Sequence, residues 1–247
     1  MSPPTFRAFA LHVAGVPLRR MKRKLLALLN PSWLPSLAVL RYYLRYRPTG
    51  TPTTVQQAPL LVFFPGMSNS FRGAATSAVI ARLSKDFPSA TITSRAHDYS
   101  AWNSIGGFHS WDVETTTTWL ASQKAWYPGV YLIGSSAGGF MAMLCGSLAG
   151  VSGVLTYDAQ THRSHLPTNL DPRFVDVAAY VVASTPITLV SNLQGTEEHA
   201  LEQAQRVSHL PGVRVIAVKG LDFGNRLDSG LISRELRRVV TADGALG

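Results

Sequence analysis

The chain has little cysteine: Cys145 is the single one among 247 residues. That excludes an intramolecular disulfide framework and any zinc site built on thiolates. Long apolar runs are also missing. No stretch reaches the roughly 18 uninterrupted apolar residues that a membrane-spanning helix needs. Seven histidines are present, but none stands in H-x-E or H-E-x-x-H spacing, and His162-x-x-His165 alone is a weak pair. The phosphate loop G-x-x-x-x-G-K-[ST] and the dinucleotide pattern G-x-G-x-x-G are both absent. Neither a metal nor an organic cofactor is therefore expected. Charged residues make up 15% against 46% hydrophobic, which supplies a packed core and excludes wholesale disorder.

Acidic residues are missing from one region altogether. Residues 1–50 hold nine basic residues and no acidic one, out of 23 basic and 14 acidic in the whole chain. The other 14 basic and 14 acidic residues cancel over 51–247. The net charge of +9 thus belongs to an arm, and the body is neutral. The expected division is a basic amphipathic helical arm over 1–50 and one α/β domain over 51–247.

Within the arm, Leu18, Met21, Leu25 and Leu28 fall at helical spacing, with Arg19, Arg20, Lys22, Arg23 and Lys24 around them. Asn30-Pro31 ends that helix, and a second is expected from about 36 to 47. Such a segment suits an anionic membrane surface or an acidic carrier protein. The plainer alternative is a pair of helices packed on the body with their charges in water. A secretory signal is not expected, because His12 and Pro17 interrupt the first apolar run. Nucleic-acid binding is not expected either, since no motif accompanies the charge. The expected location is cytoplasmic, with the arm allowing attachment at a membrane periphery.

The body alternates short apolar runs with helical patterns. Strands are expected at Leu60–Phe64, Ala90–Ser94, Val130–Ile133, Val154–Tyr157, Ile187–Val190 and Val213–Val218. Helices are expected over 73–87, 112–126, 140–148, 197–207 and 229–240. Strands separated by helices pair in parallel, so the fold class is α/β: a three-layer sandwich around a mostly parallel sheet of about six strands.

The segment YLIGSSAGGF at 131–140 contains Gly134-Ser135-Ser136-Ala137-Gly138. It fits G-x-S-x-G, between an expected buried strand and an expected helix. In that context the pattern reads as a nucleophile elbow, the alternatives being a glycine-rich strand-to-helix turn with no chemistry or one that binds phosphate. The serine occupies a tight, strained turn that its neighbours must not crowd. Its hydroxyl projects from the strand-end edge of the sheet, and the backbone N–H of Ala137 points at a developing oxyanion.

On these residues, with LLVFFPGM at 60–67 and the order of later strands, the chain resembles the α/β-hydrolase superfamily over about residues 58–240. The resemblance implies serine-dependent acyl transfer: an esterase, thioesterase or acyltransferase acting on a small acyl substrate. It also implies a second oxyanion N–H after the first strand, at Met67 or Ser68. Family members commonly carry His-Gly there, and this chain has Pro65-Gly66.

The family order is serine, acid, histidine, with the histidine after the last strand. Here that loop holds Asp222, and no histidine occurs from 210 to 247. A serine without a nearby imidazole is a poor nucleophile. A rearranged set meets the requirement: Ser136 as nucleophile, His199 as base, and Asp222, Glu197 or Asp158 orienting the imidazole. His97, His162 and His165 are second choices. The segment from Trp102 to Trp111 is a candidate acyl pocket or lid. The competing function class is a non-catalytic binding or accessory protein on the same fold, which the missing terminal histidine favours.

Overall fold

The structure is a computed structural model. It describes residues 52–66, 70–71, 74–95, 110–162, 172–193, 198–219 and 230–242. The arm over 1–50, the segment from Trp102 to Ser110 save its last residue, and positions Met67, Ser68, His97, His165, Glu197 and Asp222 lie outside them.

Six apolar runs become six strands: β1 (Leu60–Phe64), β4 (Thr91–Ser94), β5 (Val130–Ser135), β6 (Gly153–Tyr157), β7 (Ile187–Asn192) and β8 (Val213–Val218). They form one sheet in the order β4-β1-β5-β6-β7-β8. Every neighbouring pair is parallel. Central β1, β5 and β6 are buried along their whole length, as continuous apolar runs in a parallel sheet must be. The edge strands β4 and β8 are only partly covered.

Strand periodicity splits the core in two. Leu60, Val62, Phe64, Leu132, Val154 and Leu189 face one side. There they meet helices α2 (Ser110–Gln123), α3 (Ala137–Ala149) and α4 (Glu198–Val207). Leu61, Phe63, Tyr131, Ile133, Leu155 and Val190 face the other side, against α1 (Thr76–Asp86) and α5 (Leu231–Ala242). The expected three-layer sandwich results.

Several boundaries differ from the sequence reading for identifiable reasons. α1 starts at Thr76 rather than 73, because β2 (Ser70–Phe71) and β3 (Ala74–Ala75) pair as a short antiparallel ladder first. α3 starts at Ala137, three residues earlier than the pattern indicates. Gly138 and Gly139 have poor helix propensity, but every residue of α3 except Leu148 is buried, and packing decides. Thr115–Thr118 lie within α2 despite their β-branching. Thr116 is fully buried there and accepts a hydrogen bond from Nε of Arg95 at 3.2 Å. Cys145 is buried in the α2–α3 layer, as expected of a core residue. Among the described residues, no helix is long and apolar enough to cross a membrane.

Candidate active site

Chain direction across the sheet reverses between two neighbouring strands. From β1 the chain moves to β4 on one side, and from β5 it moves to β6 on the other. The crevice beyond the C-terminal ends of β1 and β5 is therefore the place where such sheets bind ligands. Two short segments meet there, Pro65-Gly66 after β1 and Ser136 after β5.

Ser136 turns the chain from β5 into α3 in a single residue. Its φ of 52° and ψ of −124° lie where an L-residue with a Cβ is strained. Three glycines make the turn sterically possible. A Cβ on Gly134 would come within 2.6 Å of the carbonyl oxygen of Gly138. A Cβ on Gly138 would overlap the carbonyl oxygens of Phe64 and Pro65, and one on Gly139 would meet the Cβ of Ala159 at 2.5 Å. The helix thus lies directly against the ends of β1 and β6. The turn is tied down by its backbone: the N–H of Ser136 donates to the carbonyl of Tyr157 at 3.0 Å, and its own carbonyl accepts from Phe140 at 3.2 Å.

Ala137 is the first residue of α3 and is buried. The N–H of a first helical residue has no acceptor within its helix and points outward along the axis, where the helix dipole is positive. That N–H is the oxyanion donor expected from the sequence. Met67 and Ser68, the expected second donors, lie outside the described residues. Their predecessors Pro65 and Gly66 are buried at the helix N-terminus.

Asp158 is the acid that the structure brings to this place. Ser135 and Tyr157 are paired across β5 and β6, so Ser136 and Asp158 are the next residues on adjacent strands. Asp158 is 3% exposed and has φ of 43°. It and Ser136 are the two non-glycine residues with positive φ among the described residues. Its Oδ1 accepts the N–H of Asn192, at the end of β7, at 2.6 Å. Its own N–H donates to the carbonyl of Val190 at 2.9 Å. Backbone strain and a buried carboxyl group therefore coincide at one edge of the sheet.

The helix carrying His199 is fastened to the same loop. Ser191 Oγ donates to the carbonyl of Ala200 at 3.4 Å, holding the start of α4 to the end of β7. Farther along, Oε1 of Gln203 accepts the N–H groups of Thr161 at 2.7 Å and His162 at 2.8 Å. Thr161 Oγ1 also donates to the carbonyl of Gln203 at 2.6 Å. Residues 199 and 203 are one helical turn apart. The side chain of His199 lies outside the described residues, as do Glu197 and Asp222. His162 is half-buried, and its backbone forms an isolated antiparallel β-bridge with that of Asp176. His209 is exposed before β8, at the opposite edge. Among the described residues, no three His, Cys, Asp or Glu side chains converge as metal ligands.

Sequence reasoning overlooked Asn192 and Gln203. Neither sits in a motif, and both act through contacts made 34 to 42 residues away in the chain.

No family model and no curated protein sequence matches the chain. Solved structures do match. A protein of Lactobacillus plantarum assigned as a carboxylesterase superposes with a TM-score of 0.58 at 12% identity, over 81% of this chain and 90% of that one. A lipase/esterase from the same organism gives 0.54 at 12% identity, over 79% and 89%. An acetyl ester-xyloside bifunctional hydrolase from Caldicellulosiruptor lactoaceticus gives 0.53 at 15%, over 80% and 87%. At such identities the shared property is the fold.

Proposed function

From the α/β-hydrolase fold that this chain adopts, we propose that it is a serine-dependent hydrolase of carboxylic esters with Ser136 as nucleophile. The strained backbone of Ser136, at the reversal point of the sheet and ringed by glycines that tolerate no Cβ, carries the proposal. A glycine there would make the same turn without strain. A serine held in it presents its hydroxyl at the mouth of the crevice.

In the proposed reaction, Ser136 Oγ attacks the ester carbonyl while an imidazole takes its proton. The Ala137 N–H holds the oxyanion, with Met67 or Ser68 as second donor. Collapse breaks the ester C–O bond, and the imidazolium returns the proton to the leaving alcohol. Water then repeats the sequence on the acyl-enzyme and releases the acid. His199 is the proposed base and Asp158 the proposed acid, held by Asn192 to orient and balance the imidazolium. Asp222 and Glu197 are the competing acids from the sequence. A thioester or a non-water acceptor fits the same machinery.

The test is covalent labelling with a fluorophosphonate probe. The wild type should label, Ser136→Ala should not, and His199→Ala should label at least about a hundredfold more slowly. A folded wild type that stays unlabelled would favour the second reading, a binding protein on this fold. The absence of histidine from 210 to 247 supports that reading.

A further inference from the structure

The edge of the sheet opposite Ser136, where the strands begin, carries an uneven charge. Lys85 lies in the last turn of α1 and Arg82 one turn before its end, Arg206 lies in the last turn of α4, and Arg214 is the second residue of β8. Lys124 follows α2 and donates to the carbonyl of Ala149 at this edge. Arg237 and Arg238 stand on the half of α5 that reaches it, where Val240 accepts from the Tyr131 hydroxyl. Among the described residues, Asp86 is paired with Arg82 and the buried Glu235 with Arg234 and Arg238, and Glu202 stands one turn before Arg206. At the strand-end edge, by contrast, Glu114, Asp158 and Asp176 stand against Arg95, Arg173 and Lys219.

A second, independent feature coincides with this charge. Val55, Leu148, Val182 and Leu193 are the exposed large hydrophobic residues among the described ones. Val55 precedes β1, Leu148 ends α3 and Val182 precedes β7, so all three lie at the strand-start edge. Val55 is 66% exposed, Leu148 43% and Val182 42%. The basic arm joins here too: the N–H of Gln56 donates to the carbonyl of Trp126, and Pro59 leads into β1.

We propose that the strand-start edge is a docking surface for an anionic lipid bilayer, and that it turns the Ser136 edge toward water. Dispersed cations with isolated apolar side chains between them match a headgroup layer, which offers diffuse negative charge above hydrocarbon. Among the described residues no element projects from this edge as a groove-reading nucleic-acid binder would require. The sheet is about 20 Å deep along β5, so Ser136 lies that far from the bilayer. The orienting consequence rests on Ser136 being the nucleophile, and it makes the substrate class a water-borne ester rather than a bilayer lipid.

The experiment sediments the full chain with phosphatidylcholine vesicles, with and without phosphatidylserine, and compares wild type with the triple variant Lys85→Gln, Arg206→Gln, Arg214→Gln. These three exposed side chains form no ion pair among the described residues, and circular dichroism verifies that the variant is folded. The arm is untouched. Wild type should pellet with the anionic vesicles alone and release in high salt. The triple variant should partition about a hundredfold less, at roughly fivefold per cation near the surface. Equal partitioning of the two proteins, no pelleting of wild type, or binding to an RNA homopolymer without binding to vesicles would each overturn the docking surface. Vesicle-bound enzyme should react with a water-soluble fluorophosphonate as fast as free enzyme. Severalfold suppression on vesicles would overturn the orientation. Absence of labelling in solution would strike the hydrolase reading alone and leave pelleting to judge the docking.

Discussion

Ser136 and its glycines concentrate function and cost in a few atoms. Ser136→Gly should abolish probe labelling yet raise stability by about 1 kcal/mol or more in urea unfolding, because it releases backbone strain. Gly138→Ala should do the opposite to the fold. Its methyl group would collide with two backbone carbonyls that cannot swing aside, so a loss of at least about 2 kcal/mol is expected. Asp158 tests the acid assignment. Asp158→Ala leaves the Asn192 N–H without its acceptor and should cost about 1–3 kcal/mol, with labelling slowed about a hundredfold or more. Asp158→Asn keeps an oxygen for that N–H. It should recover most of the stability and none of the rate, separating charge from scaffolding.

At the scale of elements, α1 and α5 form the outer layer on one face and are joined through Asp86. Burial is the largest influence on Asp86 and pushes its pKa upward. The hydrogen bonds from Ser233 and Arg82, with the charges of Arg82 and Arg237, outweigh it and hold the pKa below the usual carboxylate value. Arg82 Nε donates to its Oδ2 at 2.7 Å, and Arg237 donates to its backbone carbonyl at 2.9 Å while stacking over Phe87. A carboxylate whose folded pKa is depressed adds stability above the unfolded value, about 3.9, and loses it as the pH falls through the folded value. Stability should therefore decline as the pH drops below about 4. In Asp86→Asn that part of the decline should be missing. The sequence showed α1 and α5 as helices but not their partnership, since Asp86 and Ser233 are 147 residues apart.

For the whole molecule, one sheet separates two apolar layers that share no side chains. Ile187 belongs to the layer under α2, α3 and α4, and Ile232 to the layer with α1 and α5. Each Ile→Val change should cost about 0.5–1.5 kcal/mol. The double variant should equal their sum within about 0.5 kcal/mol, because distant sites without common partners add. A larger discrepancy in denaturant titrations would mean that the two layers are coupled through the sheet.

Much of this was legible in the chain of residues. Apolar runs of four to six residues, separated by helical periods, dictated a layered parallel sheet, because only burial on both faces suits such strands. The G-x-S-x-G segment dictated a tight strand-to-helix turn, because only small neighbours permit it. Element boundaries were less legible where packing overrode propensity, as at Gly138 in α3 and Thr116 in α2. The rest was settled in three dimensions. Strand order placed β6 beside β5, and only that pairing sets Asp158 next to Ser136. Asn192 and Gln203 acquire their roles through hydrogen bonds to residues far away in the chain. The gathering of cations at one edge likewise depends on four elements ending on the same side of the sheet. Local sequence records the preference of each segment, but neighbours across a sheet are chosen by the packing of all the segments together.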